Sequence, residues 1–141
     1  MKKRFFAHSF WEEYQARIKP VIAEIDIFLK TADYPLDIMR VAYLLDLDET
    51  EIQSILADTN HNSIGKAAFM DIMLRGSSPI CQMYAREVEI GSPHTYSASQ
   101  LSYVYNLDLE DVKNVCQKLQ IREATPLTMP MIFANIKTNT L

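Results

Sequence analysis

Glycine is scarce in this chain, with 3 in 141 residues against 6 prolines, and cysteine scarcer still, with 2. A sheet protein with many tight turns needs more glycine than that, because positive φ angles are cheap only without a Cβ. Cys81 and Cys116 make no disulfide framework and no paired metal-ligand spacing, so reduced, buried thiols are expected. No apolar run reaches the roughly 20 residues that a membrane-spanning helix requires. The start, Met1-Lys2-Lys3-Arg4-Phe5-Phe6, is charged, but His8, Ser9, Glu12 and Glu13 interrupt any apolar signal core, so a cytoplasmic protein is expected. An apolar content of 48% with a net charge of only −4 excludes a disordered chain.

What is present is helical periodicity. Ser9 and Glu12 have capping-box spacing ahead of a helix from about residue 10 to 18, with Phe10, Tyr14 and Ile18 on one face. Pro20 suits the first turn of a following helix to about Lys30, with Val21, Ile25, Phe28 and Leu29 inward; a single kinked helix is the alternative. A short helix reaches Leu45, another runs from near Asp48 to Ala57, and Asp58-Thr59-Asn60-His61-Asn62 has the composition of a solvated loop. Ser63 is placed to cap a helix carrying Ala67, Ala68, Ile72 and Met73, and Gly76 stands where a left-handed C-terminal cap is expected. Ser78-Pro79 opens a further helix that Gly91 closes. The tail from Thr125, with Pro126 and Pro130, allows a short helix around Met131 to Ile136. No alternating strand pattern persists, so the expected fold is all-α, one helical domain over residues 1–141.

Shifting the chain by 60 residues superposes Tyr43, Leu47 and Asp48 on Tyr103, Leu107 and Asp108. Apolar positions follow: Val41 with Leu101, Leu44 with Val104, Ile52 with Val112, Ile55 with Val115. Pro20, Val21, Ile25 and Leu29 align with Pro79, Ile80, Tyr84 and Val88 at a shift of 59. Two tandem copies of one helical unit are expected, at about 20–75 and 79–136.

Each copy resembles the helix-turn-helix of trihelical DNA-binding domains. That motif asks for apolar and small residues at fixed distances from a turn residue that is often left-handed. Around Asp46 the slots hold Val41, Ala42, Leu45, Leu47, Ile52 and Ile55; around Asn106 they hold Leu101, Ser102, Tyr105, Leu107, Val112 and Val115. Neither copy has the Gly common at that turn, but Asp and Asn are its best substitutes. The resemblance implies that the second helix of a motif enters the DNA major groove.

Charge separates the two copies. Residues 33–58 hold one arginine against seven carboxylates, net −6, whereas residues 94–141 are neutral. Residues 1–32 are net +2. Phosphate contacts dominate DNA affinity, so the acidic first copy is a poor reader. The second offers Lys113, Asn114, Gln117 and Lys118 on the outward side of its second helix, with Lys2, Lys3 and Arg4 as a basic arm. Amides suit adenine, and lysine suits guanine or phosphate. Double-stranded DNA is therefore the expected partner of a regulator acting alone or as a homodimer. The alternative is a non-enzymatic interaction module or inhibitor that presents Asp48, Glu49 and Glu51 to a basic protein. His8, His61 and His94 are too dispersed for a metal site, and there is no phosphate-binding glycine loop, so no enzyme activity, cofactor or metal is expected.

Overall fold

In the computed structural model, which describes residues 6–140, short amphipathic helices follow one another and pack their apolar stripes inward. Strand β1 (Phe6–Ser9) leads into α1 (Phe10–Glu13), a π-helical turn (Tyr14–Ile18) and α2 (Lys19–Thr31). Then come α3 (Ile38–Leu45), α4 (Glu49–Asp58), α5 (Lys66–Arg75), α6 (Pro79–Glu89), α7 (Ala98–Tyr105), α8 (Leu109–Leu119), α9 (Met129–Ala134) and β2 (Lys137–Thr140). The fold is all-α. The two four-residue strands pair antiparallel, Phe6 with Thr140 and Ser9 with Lys137, a ribbon too short to leave a pattern in the sequence.

The chain divides into two compact units. Pro20–Glu89 forms a central unit; the chain up to Lys19 and from Ile90 onward forms a terminal unit. The division differs from one domain with copies at 20–75 and 79–136, because α6 packs on α5 within the central unit, while the helical start of the chain supplies the terminal unit's first helix. Sequence similarity pairs α6 with α2, but burial of its Cys81, fully enclosed among central-unit side chains, decides where it lies.

In the central unit, Ile25 and Phe28 of α2 meet Val41 and Leu45 of α3, Ile52 and Ile55 of α4, and Ala68, Phe69, Ile72 and Met73 of α5. Spacing of three and four residues on each helix puts these on one face. In the terminal unit, Phe10, Leu101, Val112, Ile132 and Phe133 are buried together, with Tyr14 and Ile18 packed against them. Phe10 stands edge-on to Phe133 at 4.9 Å between ring centres, and Tyr105 meets Phe133 at 5.1 Å, the arrangement that opposes ring edges to ring faces.

At Pro20 the backbone stays helical. The preceding turn widens to π geometry, in which the Lys19 N–H reaches back to the Tyr14 carbonyl. A proline ring would clash with the carbonyl four residues earlier in a regular helix, and a wider turn relieves that crowding.

Local caps follow the expectations in part. Ser9 accepts from the Glu12 N–H, and Gly91 has φ +81° just past α6. Ser63 caps nothing: α5 starts further along the chain, with Gly65 at its N-cap. Gly76 is extended, φ −63° and ψ 148°, not left-handed. Its smallness serves packing, since a Cβ there would lie 2.7 Å from Cys81 Sγ and 2.9 Å from Leu47 Cδ1.

Candidate nucleic-acid interface

The helix pairs α3–α4 and α7–α8, the two segments that resemble a helix-turn-helix, use the same local chemistry. Asp46 ends α3 at φ 56°, ψ 51°, and Asn106 ends α7 at φ 55°, ψ 50°, the left-handed region that short polar side chains tolerate best after glycine. In each the next residue bonds back across the turn, Leu47 N–H to the Ala42 carbonyl at 3.0 Å and Leu107 N–H to the Ser102 carbonyl at 2.9 Å. The small Ala42 and Ser102 are where the motif asks for small residues, and the Ser102 hydroxyl also donates to the Leu107 carbonyl.

The correspondence reaches beyond the turns. Leu36 N–H bonds to the Ile64 carbonyl and Tyr96 N–H to the Ala124 carbonyl; His61 N–H bonds to the Leu56 carbonyl and Ile121 N–H to the Cys116 carbonyl. Every one of these pairs is displaced by 60 residues from its counterpart.

Helix α8 is fixed from beneath by Val112, which is fully buried, and by the half-buried Val115, Cys116 and Leu119. Its first turn is capped by Asp108, whose carboxylate accepts from the Asp111 N–H at 3.1 Å. On the opposite side Lys113, Asn114, Gln117 and Lys118 are all exposed. At about 100° per residue they span an arc of roughly 140°. Among the described residues neither lysine makes an ion pair. Glu110 and Asp111 are exposed one turn earlier, so the helix is acidic at its start and basic from its middle. Lys2, Lys3 and Arg4 lie outside the described residues.

The corresponding helix α4 is differently occupied. Asp48 and Glu49 are exposed, but Glu51 is engaged: its carboxylate accepts from the Ser77 N–H at 2.7 Å and the Ser77 hydroxyl at 2.8 Å, tying α4 to the entrance of α6. Two of the three carboxylates expected to face a basic partner are thus at the surface, and the third supports the fold. Charge follows the units: Pro20–Glu89 carries five cations against twelve carboxylates, net −7, and the remaining segments net +3.

Other reactive side chains have local roles. His61, expected to be solvated, places Nε2 2.8 Å from Asp71 Oδ2 and pins the α4–α5 loop to α5, a partner ten residues away that loop composition does not reveal. Burial pushes the Cys81 thiol above its ordinary value of 9.0, opposed by a hydrogen bond with Ser78 and reinforced by nearby Glu51; burial also raises Cys116. A raised thiol is a poor nucleophile. Among the described residues no three His, Cys, Asp or Glu side chains are grouped to hold a metal ion, and no helix is long and apolar enough to cross a membrane.

One surface feature lies outside the residues singled out by their sequence pattern. A groove of about 520 Å³ runs between α2 and α3, lined in part by Ile27, Met39 and Tyr43. These are 60%, 64% and 87% exposed. The available signal was that each falls off its helix's buried stripe.

Comparison with protein-family models, with curated proteins and with solved structures finds no match to this chain.

Proposed function

We propose that this chain is a non-enzymatic DNA-binding regulator, built from two duplicated helix-turn-helix units, that engages double-stranded DNA through α8 and needs no metal or cofactor. The observation that carries this reading is the exposed set Lys113, Asn114, Gln117 and Lys118, on the helix that follows a left-handed turn at Asn106. In the helix-turn-helix mode the second helix lies in the major groove, where amides pair with adenine and lysine with guanine or phosphate. Lys2, Lys3 and Arg4 add a basic arm, and a second copy would address an adjacent half-site. Fluorescence anisotropy with mixed-sequence duplex DNA at low salt tests the reading. Binding that is weakened at least tenfold by Lys113→Ala with Lys118→Ala supports it; undetectable binding, or binding indifferent to both changes, defeats it.

The net charge of −7 on the central unit favours a second reading, an inhibitor or interaction module for a basic protein, with Asp48 and Glu49 exposed on α4. Capture of a cationic partner that is lost in Asp48→Asn with Glu49→Gln would favour this reading over the first.

A further inference from the structure

We propose that the groove between α2 and α3 is a docking site for a cationic amphipathic helix of a protein partner. The site is separate from α8 and does not depend on the DNA reading. Its floor is Phe28, and Ile27, Met39 and Tyr43 stand around it with more than half of their surface in water. Large apolar side chains clustered in this way on an otherwise charged surface mark an interaction site. The groove lies between two helices and offers no sheet edge, so the fitting mode is a helix laid in a groove, anchored by apolar residues at three- and four-residue spacing.

Charge selects the occupant. Glu24 and Asp37 are exposed on opposite walls, and Asp37, although at the N-cap of α3, makes no side-chain cap bond. Among the described residues the one cation in the lining, Arg40, lies over the Phe28 ring with its guanidinium carbon 5.2 Å from the ring centre. That stacking draws the arginine against the aromatic floor and leaves the two carboxylates at the rim. The surrounding unit is net −7. A second copy docking symmetrically through this face would bring like charge against like. Nucleic acid and anionic lipid meet the same repulsion. A helix with an apolar stripe flanked by lysine or arginine meets complementary charge on both walls.

The test uses the full chain and fluorescently labelled peptides of about five helical turns. A Leu/Lys amphipathic peptide should bind saturably, and its affinity should fall at least tenfold in Ile27→Ser with Met39→Ser. Tyr43→Ser and Asp37→Asn should each lower it by a smaller factor, and Lys113→Ala with Lys118→Ala should leave it unchanged. The altered residues are exposed, and circular dichroism verifies that each variant folds. The proposal is overturned if a scrambled peptide of the same composition, or a Leu/Glu peptide of the same pattern, binds as tightly. It is also overturned if the Ile27/Met39 variant keeps full affinity, or if sedimentation shows self-association that Met39→Ser abolishes.

Discussion

Asp46 and Asn106 stand 60 residues apart and hold the same left-handed backbone, with φ and ψ each agreeing within 1°. Each ends a helix of eight residues and is followed by leucine and then by an aspartate at the N-cap of the next helix. Two turns in one chain thus solve the same steric problem, without glycine and with the same back-bonding pattern.

The turn residues give the first prediction. A β-branched side chain at a left-handed position costs about 1 to 2 kcal/mol, whereas glycine removes the steric term. Asn106→Val should lower the urea midpoint with an unchanged slope, and Asn106→Gly should match or exceed the parent; Asp46→Val and Asp46→Gly should behave likewise. A tolerated valine at either position would contradict the observed backbone.

Gly76 gives the second. Its φ of −63° suits any residue, so the cost of a side chain is purely one of space. Gly76→Ala drives a methyl into Cys81 Sγ, Leu47 Cδ1 and the Ile72 carbonyl, at 2.7, 2.9 and 3.0 Å. Overpacking of that kind costs about 1 to 3 kcal/mol. Adding Cys81→Ala removes the closest clash, so the double variant should lose less stability than the two single losses combined, measured by denaturant titration.

Glu51 bears on the acidic helix. Removing a carboxylate that accepts two hydrogen bonds from Ser77 should cost about 1 to 3 kcal/mol in Glu51→Ala, while Asp48→Asn and Glu49→Gln should change stability little. Thermal unfolding of the three variants separates the structural carboxylate from the two at the surface.

What was legible beforehand was the periodic and the local. Buried stripes on α2 to α4, the left-handed turns, and the exposure of Lys113, Asn114, Gln117 and Lys118 follow from three- and four-residue spacing and from the conformational tastes of Asp and Asn; on α5, Ala68, Ile72 and Met73 are buried as expected, but Ala67 is exposed and Phe69 takes its place in the core. What was not legible depended on long-range partners. Glu51 resembles any first-turn acid until Ser77, 26 residues away, is seen beside it. His61 looks solvated until Asp71 comes within 2.8 Å. Helix α6 carries the pattern of α2 but packs on α5, because similarity between two stripes does not say which core will receive them. Gly76 does end α5, but not as a left-handed cap, since a helix end predicts a backbone shape and not the sulfur atom pressed against it.

Thiol burial predicts a pH effect. With Cys81 held above its ordinary 9.0 in the folded chain, the folded state binds that proton more tightly than the unfolded state does. Its contribution to stability is therefore complete below about pH 9 and falls as pH rises through the folded value. Stability measured by urea unfolding should decline more steeply between pH 9 and the folded value in the parent than in Cys81→Ala, whose remaining slope reports other groups. At neutral pH Cys81 should react with a thiol reagent more slowly than the half-buried Cys116. Equal rates would mean that the α5–α6 packing opens readily.

The acidic start of α8 sets the final prediction, on which the DNA reading depends most directly. Glu110 is exposed one turn before Lys113 and Asn114, and would face the phosphates of any duplex that those residues touch. Glu110→Gln should therefore raise affinity for duplex DNA several-fold at low salt, with less gain as salt screens the repulsion. Lys113→Ala and Lys118→Ala should each lower affinity and flatten the dependence of log K on log salt, by about 0.9 for every phosphate that is no longer neutralised. Anisotropy titrations across a salt series separate these effects. If Glu110→Gln gains nothing while the lysine variants lose affinity, the DNA passes the C-terminal half of α8 only, and the helix lies across the backbone instead of entering the groove by its start.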